Sequence, residues 1–189
     1  MQKRIITGFT ILASLASLSA HADNPIVNLA PDFGQRATTI KKIAIVPIDP
    51  CPAALECSAV EQQLFIEFRA AWSLRMVQAW QTRQKMFELG IGSLDAETKA
   101  RLAEALSVDG FLVPTVPYIG VKQQGAALVL PAGQAPEARV ELLFVPVDSD
   151  LPLFRGTNQG QGTTMHSAEG LVKRLLKGIL QKIFPKRKR

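Results

Sequence analysis

Residues 1–22 read as a segment that never joins the fold, and this restriction sets the chemistry open to everything after it. Lys3 and Arg4 give a basic start, Ile5 to Leu18 give 14 residues broken only by Gly and hydroxyl side chains, and Ala20-His21-Ala22 gives a small-x-small site. That is the build of a cleaved signal peptide. A run of this length falls short of the roughly 20 residues a helix needs to span a bilayer, so it reads as removed and not as a retained anchor. The mature chain is expected to begin at Asp23 in the periplasm, since the short basic n-region has a bacterial look, and no Cys follows the site to carry a lipid.

Taking 22 from 189 residues leaves 167, enough for one domain with its own core. Hydrophobic residues at 47% and charged residues at 20% fit a globular chain, and no second long apolar run follows residue 22. Charge is unevenly placed. Without Lys3 and Arg4 the 22 basic residues become 20 against 16 acidic ones, and Lys186, Arg187, Lys188 and Arg189 account for the excess. An exported protein rarely meets nucleic acid, so no nucleic-acid partner is expected. The targets within reach of the tail and of Lys182 are an anionic membrane surface, lipopolysaccharide or an acidic protein partner. A solvated end with no partner is the plainer reading.

Cys51 and Cys57 are the two cysteines, and export favours their oxidation to a disulfide. The loop is short, so the bridge is worth about 2 kcal/mol, enough to fix the CPAALEC turn. A redox role is the alternative, with Cys57 just ahead of a helix start, although the spacing is not C-x-x-C. With His166 as the one mature His, a Cys/His zinc set is not available, and no metal or cofactor is expected.

Residues 23–39 lack an apolar period and read as an extended leader, followed by a single domain over 40–185 and a basic tail over 186–189. Lys41 to Ile48 suits a buried strand. Ser58 with Glu61 predicts a capping box, ahead of an apolar stripe at Val60, Leu64, Phe65, Phe68 and Trp72, with Glu61, Glu67 and Arg69 between these positions. Phe65, Phe68, Trp72 and Trp80 are expected to pack in the core. Residues 76–82 suit either a short strand or more helix, and a short helix over 83–89 should stop at Gly90. Asp95 caps a further helix ending at Leu106. Phe111 to Val121 reads as a strand whose Pro114 and Pro117 belong at an edge or bulge. Gly125–Leu130 and Ala138–Val147 are expected to form a hairpin, Leu151–Gly156 another strand, and residues 157–166 a polar connection. In the helix over 167–184, Leu171, Leu175, Leu176, Ile179, Leu180 and Ile183 share one side, which could cover a sheet or lie on a membrane. The order points to one α/β (α+β) layer fold, a mixed sheet with helices packed on it.

Catalytic patterns are sparse. His166 could serve a triad only with Ser167 or another Ser and with Asp148 or Asp150, and no G-x-S-x-G elbow accompanies it. Gly156, Gly160 and Gly162 precede a helix, as in anion sites, but Met165 stands where the third Gly of G-x-G-x-x-G belongs. A small hydrolase or ligand-binding protein using the Gly156–Ser167 loop is therefore the minor reading, beside the redox one.

Four stretches resemble one group of bacterial envelope modules: KKIAIVPID, ELGIGSLDAETKARLAEALSVDGFLVPTV, VELLFVPVDSDLPLFRGTNQGQG, and the closing helix before FP. The group includes the periplasmic domain of the curli secretion channel, lipoprotein activators of penicillin-binding proteins and small exopolysaccharide-export lipoproteins. Its helix–turn–strand pattern is matched at Leu106, Asp109, Gly110 and Phe111–Val116. Its strand–acidic turn–strand pattern is matched at Val140–Val147, Asp148, Asp150 and Leu153–Gly156. The resemblance implies an anticodon-binding-domain-like fold and a non-enzymatic task, docking on an envelope protein or assembling as a homo-oligomer in export or wall synthesis. It carries over no active site. The chain departs from the group in lacking the lipid-attachment Cys and in lacking room for the channel member's long membrane-inserting hairpins.

Overall fold

In the computed structural model, which describes residues 24–123, 134–163 and 167–185, the run KIAI becomes a strand covered on both faces. This is β2 (Lys42–Ile45), whose Ile43, Ala44 and Ile45 are fully buried, which is why its sequence is continuously apolar and not alternating. Before it come β1 (Ile26–Leu29) and α1 (Phe33–Ala37). After it come α2 (Cys57–Ala71), β3 (Arg75–Val77), α3 (Ala79–Glu88), α4 (Ala96–Leu106), β4 (Gly110–Gln123), β5 (Gln134–Pro146), β6 (Phe154–Gln161) and α5 (Ala168–Ile183). One six-stranded mixed sheet runs in the order β1-β6-β5-β4-β2-β3. The β2 strand is parallel to β3 and β4, and the remaining pairs are antiparallel. The fold is α+β, as expected.

Period-two alternation divides the side chains between two faces. Ile43, Ile45, Leu112, Val140, Leu142 and Phe144 meet α2 and α5 in the larger core. Ala44, Val46, Val77 and Phe111 meet Leu102 and Ala103 of α4 in the smaller one. All six expected apolar residues of α5 are buried against the sheet, which excludes the membrane-lying reading of that face. Helix and sheet come close because Gly156 has no side chain: a Cβ there would stand 2.2 Å from Ile179 Cγ2. Buried Asn158 spans the same junction, donating from Nδ2 to the Leu175 carbonyl.

Several local expectations change. The Ser58/Glu61 capping box does not form: α2 starts at Cys57 with Glu56 as N-cap, Ser58 donates to the Glu56 carboxylate, and Glu61 is turned inward at 4% exposure. The ambiguous stretch is divided between β3 and the start of α3, and Gly90 stops α3 in the left-handed region at φ +65°. Trp80 leaves the core and is 57% exposed, since Ala79 and Thr82 hold the inner face of α3. Segment 24–39, read as a leader, supplies the edge strand β1 against β6 and the helix α1. The hairpin partner of β5 is β4, and the expected arm Gly125–Leu130 lies outside the described residues. So do the signal segment 1–22, Asp23, His166 and the tail 186–189.

Candidate functional site

A cleft of about 710 Å³ opens beyond the carboxyl end of β2, a position at which parallel strands commonly present their sites. Val46, Met86, Ile91, Leu94 and Val113 form apolar lining, while Asp49, Arg83, Ser93 and Thr115 supply polar groups. Phe87, also in the lining, is 88% exposed. Trp80 and Phe87 lie seven residues apart on one helix and so share its outer face, with Arg83 between them. Trp80 is held by its own Nε1, which donates to Gln78 Oε1 at 2.9 Å.

One carboxylate organises the wall of this cleft. Glu61 Oε1 accepts from the backbone N–H of Ile48 at 2.8 Å and from Arg83 Nη2 at 3.0 Å, so a single oxygen ties the segment leaving β2 to α2 and α3. The same segment is closed by the Cys51–Cys57 disulfide, with Cα atoms 6.0 Å apart, in which Cys51 is exposed and Cys57 is buried on the first turn of α2. The expected bridge is present and shapes the cleft, since Cys51 is part of the lining.

The acidic turn residues are occupied elsewhere. Asp109 Oδ2 accepts from the backbone N–H groups of Lys41 and Lys42 at 2.7 and 2.9 Å, fixing the start of β2 to the turn before β4. Asp148 pairs with Arg36 of α1. Lys99, 5% exposed on α4, donates to Asp150 Oδ1 at 2.9 Å and to the Ser149 carbonyl at 2.7 Å. The β5–β6 turn is thus clamped from α1 and α4 together, and Asp148 and Asp150 act as joints. Asp95 caps α4 as expected, and the Thr98 backbone N–H, followed by the Thr98 hydroxyl, holds its carboxyl below the usual carboxylate range.

The first half of the Gly156–Ser167 stretch is strand and not loop, and residues 164–166 lie outside the described residues. Residues 156–161 belong to β6, so Gly156 and Gly160 lie in the strand, and Gly156 packs beneath Ile179. Ser167 is the N-cap of α5, its Oγ accepting from the Gly170 N–H at 3.0 Å. The lysines of α5 are engaged: Lys173 with Glu169, Lys177 with Glu67, and Lys182 with the Pro25 carbonyl at 2.6 Å. Lys182, expected at a partner or membrane contact, therefore ties the end of α5 to the start of β1. Among the described residues, no three His, Cys, Asp or Glu side chains are grouped as a metal site, and no helix is long and apolar enough to cross a membrane.

Sequence reasoning missed Glu61, Arg83 and the exposed pair on α3. A signal was present for Glu61. It stands three and seven residues before Leu64 and Phe68, on the buried stripe and not between its members.

No family model and no curated protein matches the sequence. The fold is similar to that of the PelC dodecamer from Paraburkholderia phytofirmans, with a TM-score of 0.55 and 11% identity, covering 87% of this chain and 99% of that one. It is also similar to lipoprotein GNA1162 from Neisseria meningitidis, with a TM-score of 0.54 and 15% identity, covering 76% of this chain and 97% of that one. At these identities the likeness concerns the fold alone.

Proposed function

We propose that this protein is a non-enzymatic accessory protein of the bacterial cell envelope, exported to the periplasm, where it self-assembles and acts by protein–protein contact in outer-membrane export or wall synthesis. The observation that carries the reading is how the charged residues are used. Asp109, Asp148, Asp150, Lys99 and Glu61 hold backbone segments and helices in place, while the exposed Trp80 and Phe87 and the apolar cleft offer surfaces suited to a partner. The export-signal reading of residues 1–22 supports the compartment, and the likeness to a dodecamer and to a lipoprotein supports the envelope role. The basic run Lys186 to Arg189 then adds a cationic contact to anionic headgroups or lipopolysaccharide.

Crosslinking in intact cells, with N-terminal sequencing of the captured protein, tests this reading. It predicts a mature terminus at Asp23 and adducts with envelope proteins and with further copies of this chain. Recovery of the uncleaved chain from the cytosol would refute it. Deleting residues 186–189 should weaken binding to vesicles containing anionic lipid at low salt, an effect that fades as salt screens the charges. Equal binding by the full and shortened chains would remove the tail from the mechanism.

A further inference from the structure

We propose that copies of this chain join head to tail by strand addition, the outer edge of β1 in one copy pairing with the uncovered far half of β4 in the next. The proposal rests on the self-assembling reading above and names the surfaces that would carry it. On β1, Ile26 and Asn28 stand opposite Thr157 and Arg155, and the Ala30 N–H donates to the Leu153 carbonyl. Alternate residues point their backbone groups to alternate sides, so even-numbered residues bind β6 while Val27 and Leu29 direct theirs outward. No strand among the described residues takes them.

The matching edge is on β4. Its pairing with β2 stops at Leu112, whose carbonyl accepts from the Val46 N–H. Beyond that point the same side of β4 has no strand neighbour among the described residues. Pro114 is the next residue whose backbone faces this side, and it has no N–H to offer. The register shift between Thr115 and Tyr118 then moves the outward set to odd numbers, so Ile119 and Val121 present the first outward donors in a regular strand. Both edges are short and carry apolar side chains in solvent: Ile26 and Leu29 are 64% and 46% exposed, and Val121 is 66% exposed. The remaining edge, β3, opens with exposed Arg75, a charge that protects an edge from addition, where β1 and the far half of β4 present apolar side chains. A β1-to-β1 contact would leave β4 uncovered. A heterologous contact covers both edges at every junction and continues until a ring closes.

Proline variants isolate the outward donors. Leu29→Pro and Val121→Pro each delete one outward N–H and leave the pairing with β6 or β5 intact. Mass is read by light scattering on size exclusion of the exported full chain, with circular dichroism confirming the fold. The wild type should exceed two chain masses and each variant alone should fall to one. A one-to-one mixture should recover dimers, because each variant keeps the edge the other has lost. If a proline variant fails to fold, Leu29→Lys and Val121→Lys replace the pair with the same expected masses. An oligomeric wild type unaffected by either substitution overturns strand addition and leaves self-assembly standing. Loss of assembly in the Leu29 variant alone points to β1-to-β1 pairing and also overturns it. A monomeric wild type overturns both readings.

Discussion

Replacing Glu61 separates two contributions that meet on one oxygen. Glu61→Ala removes the acceptor of the Ile48 N–H in a buried setting, and an unmade buried hydrogen bond of this kind costs about 1–3 kcal/mol. Glu61→Gln keeps an oxygen in that place and gives up only the charge facing Arg83. The Arg83 side chain is 51% exposed, so solvent reduces the ion pair to roughly 1 kcal/mol or less. The expected order is a loss of about 2 kcal/mol for Ala and no more than half of that for Gln. Urea unfolding followed by far-ultraviolet circular dichroism, with the disulfide intact and the slope m unchanged, measures both. A double-mutant cycle of Glu61→Gln with Arg83→Met should give a coupling of no more than about 1 kcal/mol. If Gln costs as much as Ala, the ion pair and not the Ile48 contact holds the wall. An Ala variant as stable as the wild type would refute the organising role altogether.

Gly156→Ala should destabilise by about 1–3 kcal/mol, because its Cβ meets Ile179 Cγ2 at 2.2 Å, and combined with Ile179→Ala the total loss should fall short of the sum of the two single losses; denaturant midpoints of the single and double variants decide this. Replacing both Cys51 and Cys57 by Ser should cost about 2 kcal/mol and leave the sheet formed, read as a lower melting temperature with an unchanged far-ultraviolet spectrum. Asp95 gives the pH dependence a definite sign. Its carboxyl is depressed in the folded chain, so its contribution is complete above the ordinary carboxylate pKa and is lost as pH falls through the folded value. The wild type should therefore lose more stability than Asp95→Asn between neutral and acidic pH, and parallel losses would contradict the cap.

What the sequence discloses depends on how local its causes are. The α5 stripe, the Asp95 cap and the doubly covered β2 arise from neighbours within one or two turns or a few strand residues, and each is legible in the chain. The β1 strand is four residues long and is ordered by β6, far along the chain, so no local period announces it. The polar half of β6 reads as a connection because one face of that strand is open while the other holds Asn158, whose amide is satisfied by a helix carbonyl. The cleft draws on the end of β2, on α3, on the Ile91–Leu94 turn and on β4, a convergence set by topology. The acidic residues of the resemblance were visible, but their work as joints was not, because Arg36 and Lys99 reach them from distant segments.

The placement of α5 bears on the order in which this polypeptide can mature. Made after every strand of the sheet, it seals the broad core over β5 and β6, and Lys182 joins it to Pro25 at the other end of the described chain. A chain that emerges from first residue to last therefore shows a bare β-surface until residues 168–183 have followed, and a product cut short before α5 retains that exposed hydrophobic area. Such fragments would be natural substrates for holding chaperones and proteases, making the docking of α5 the step that separates a lasting product from a discarded one.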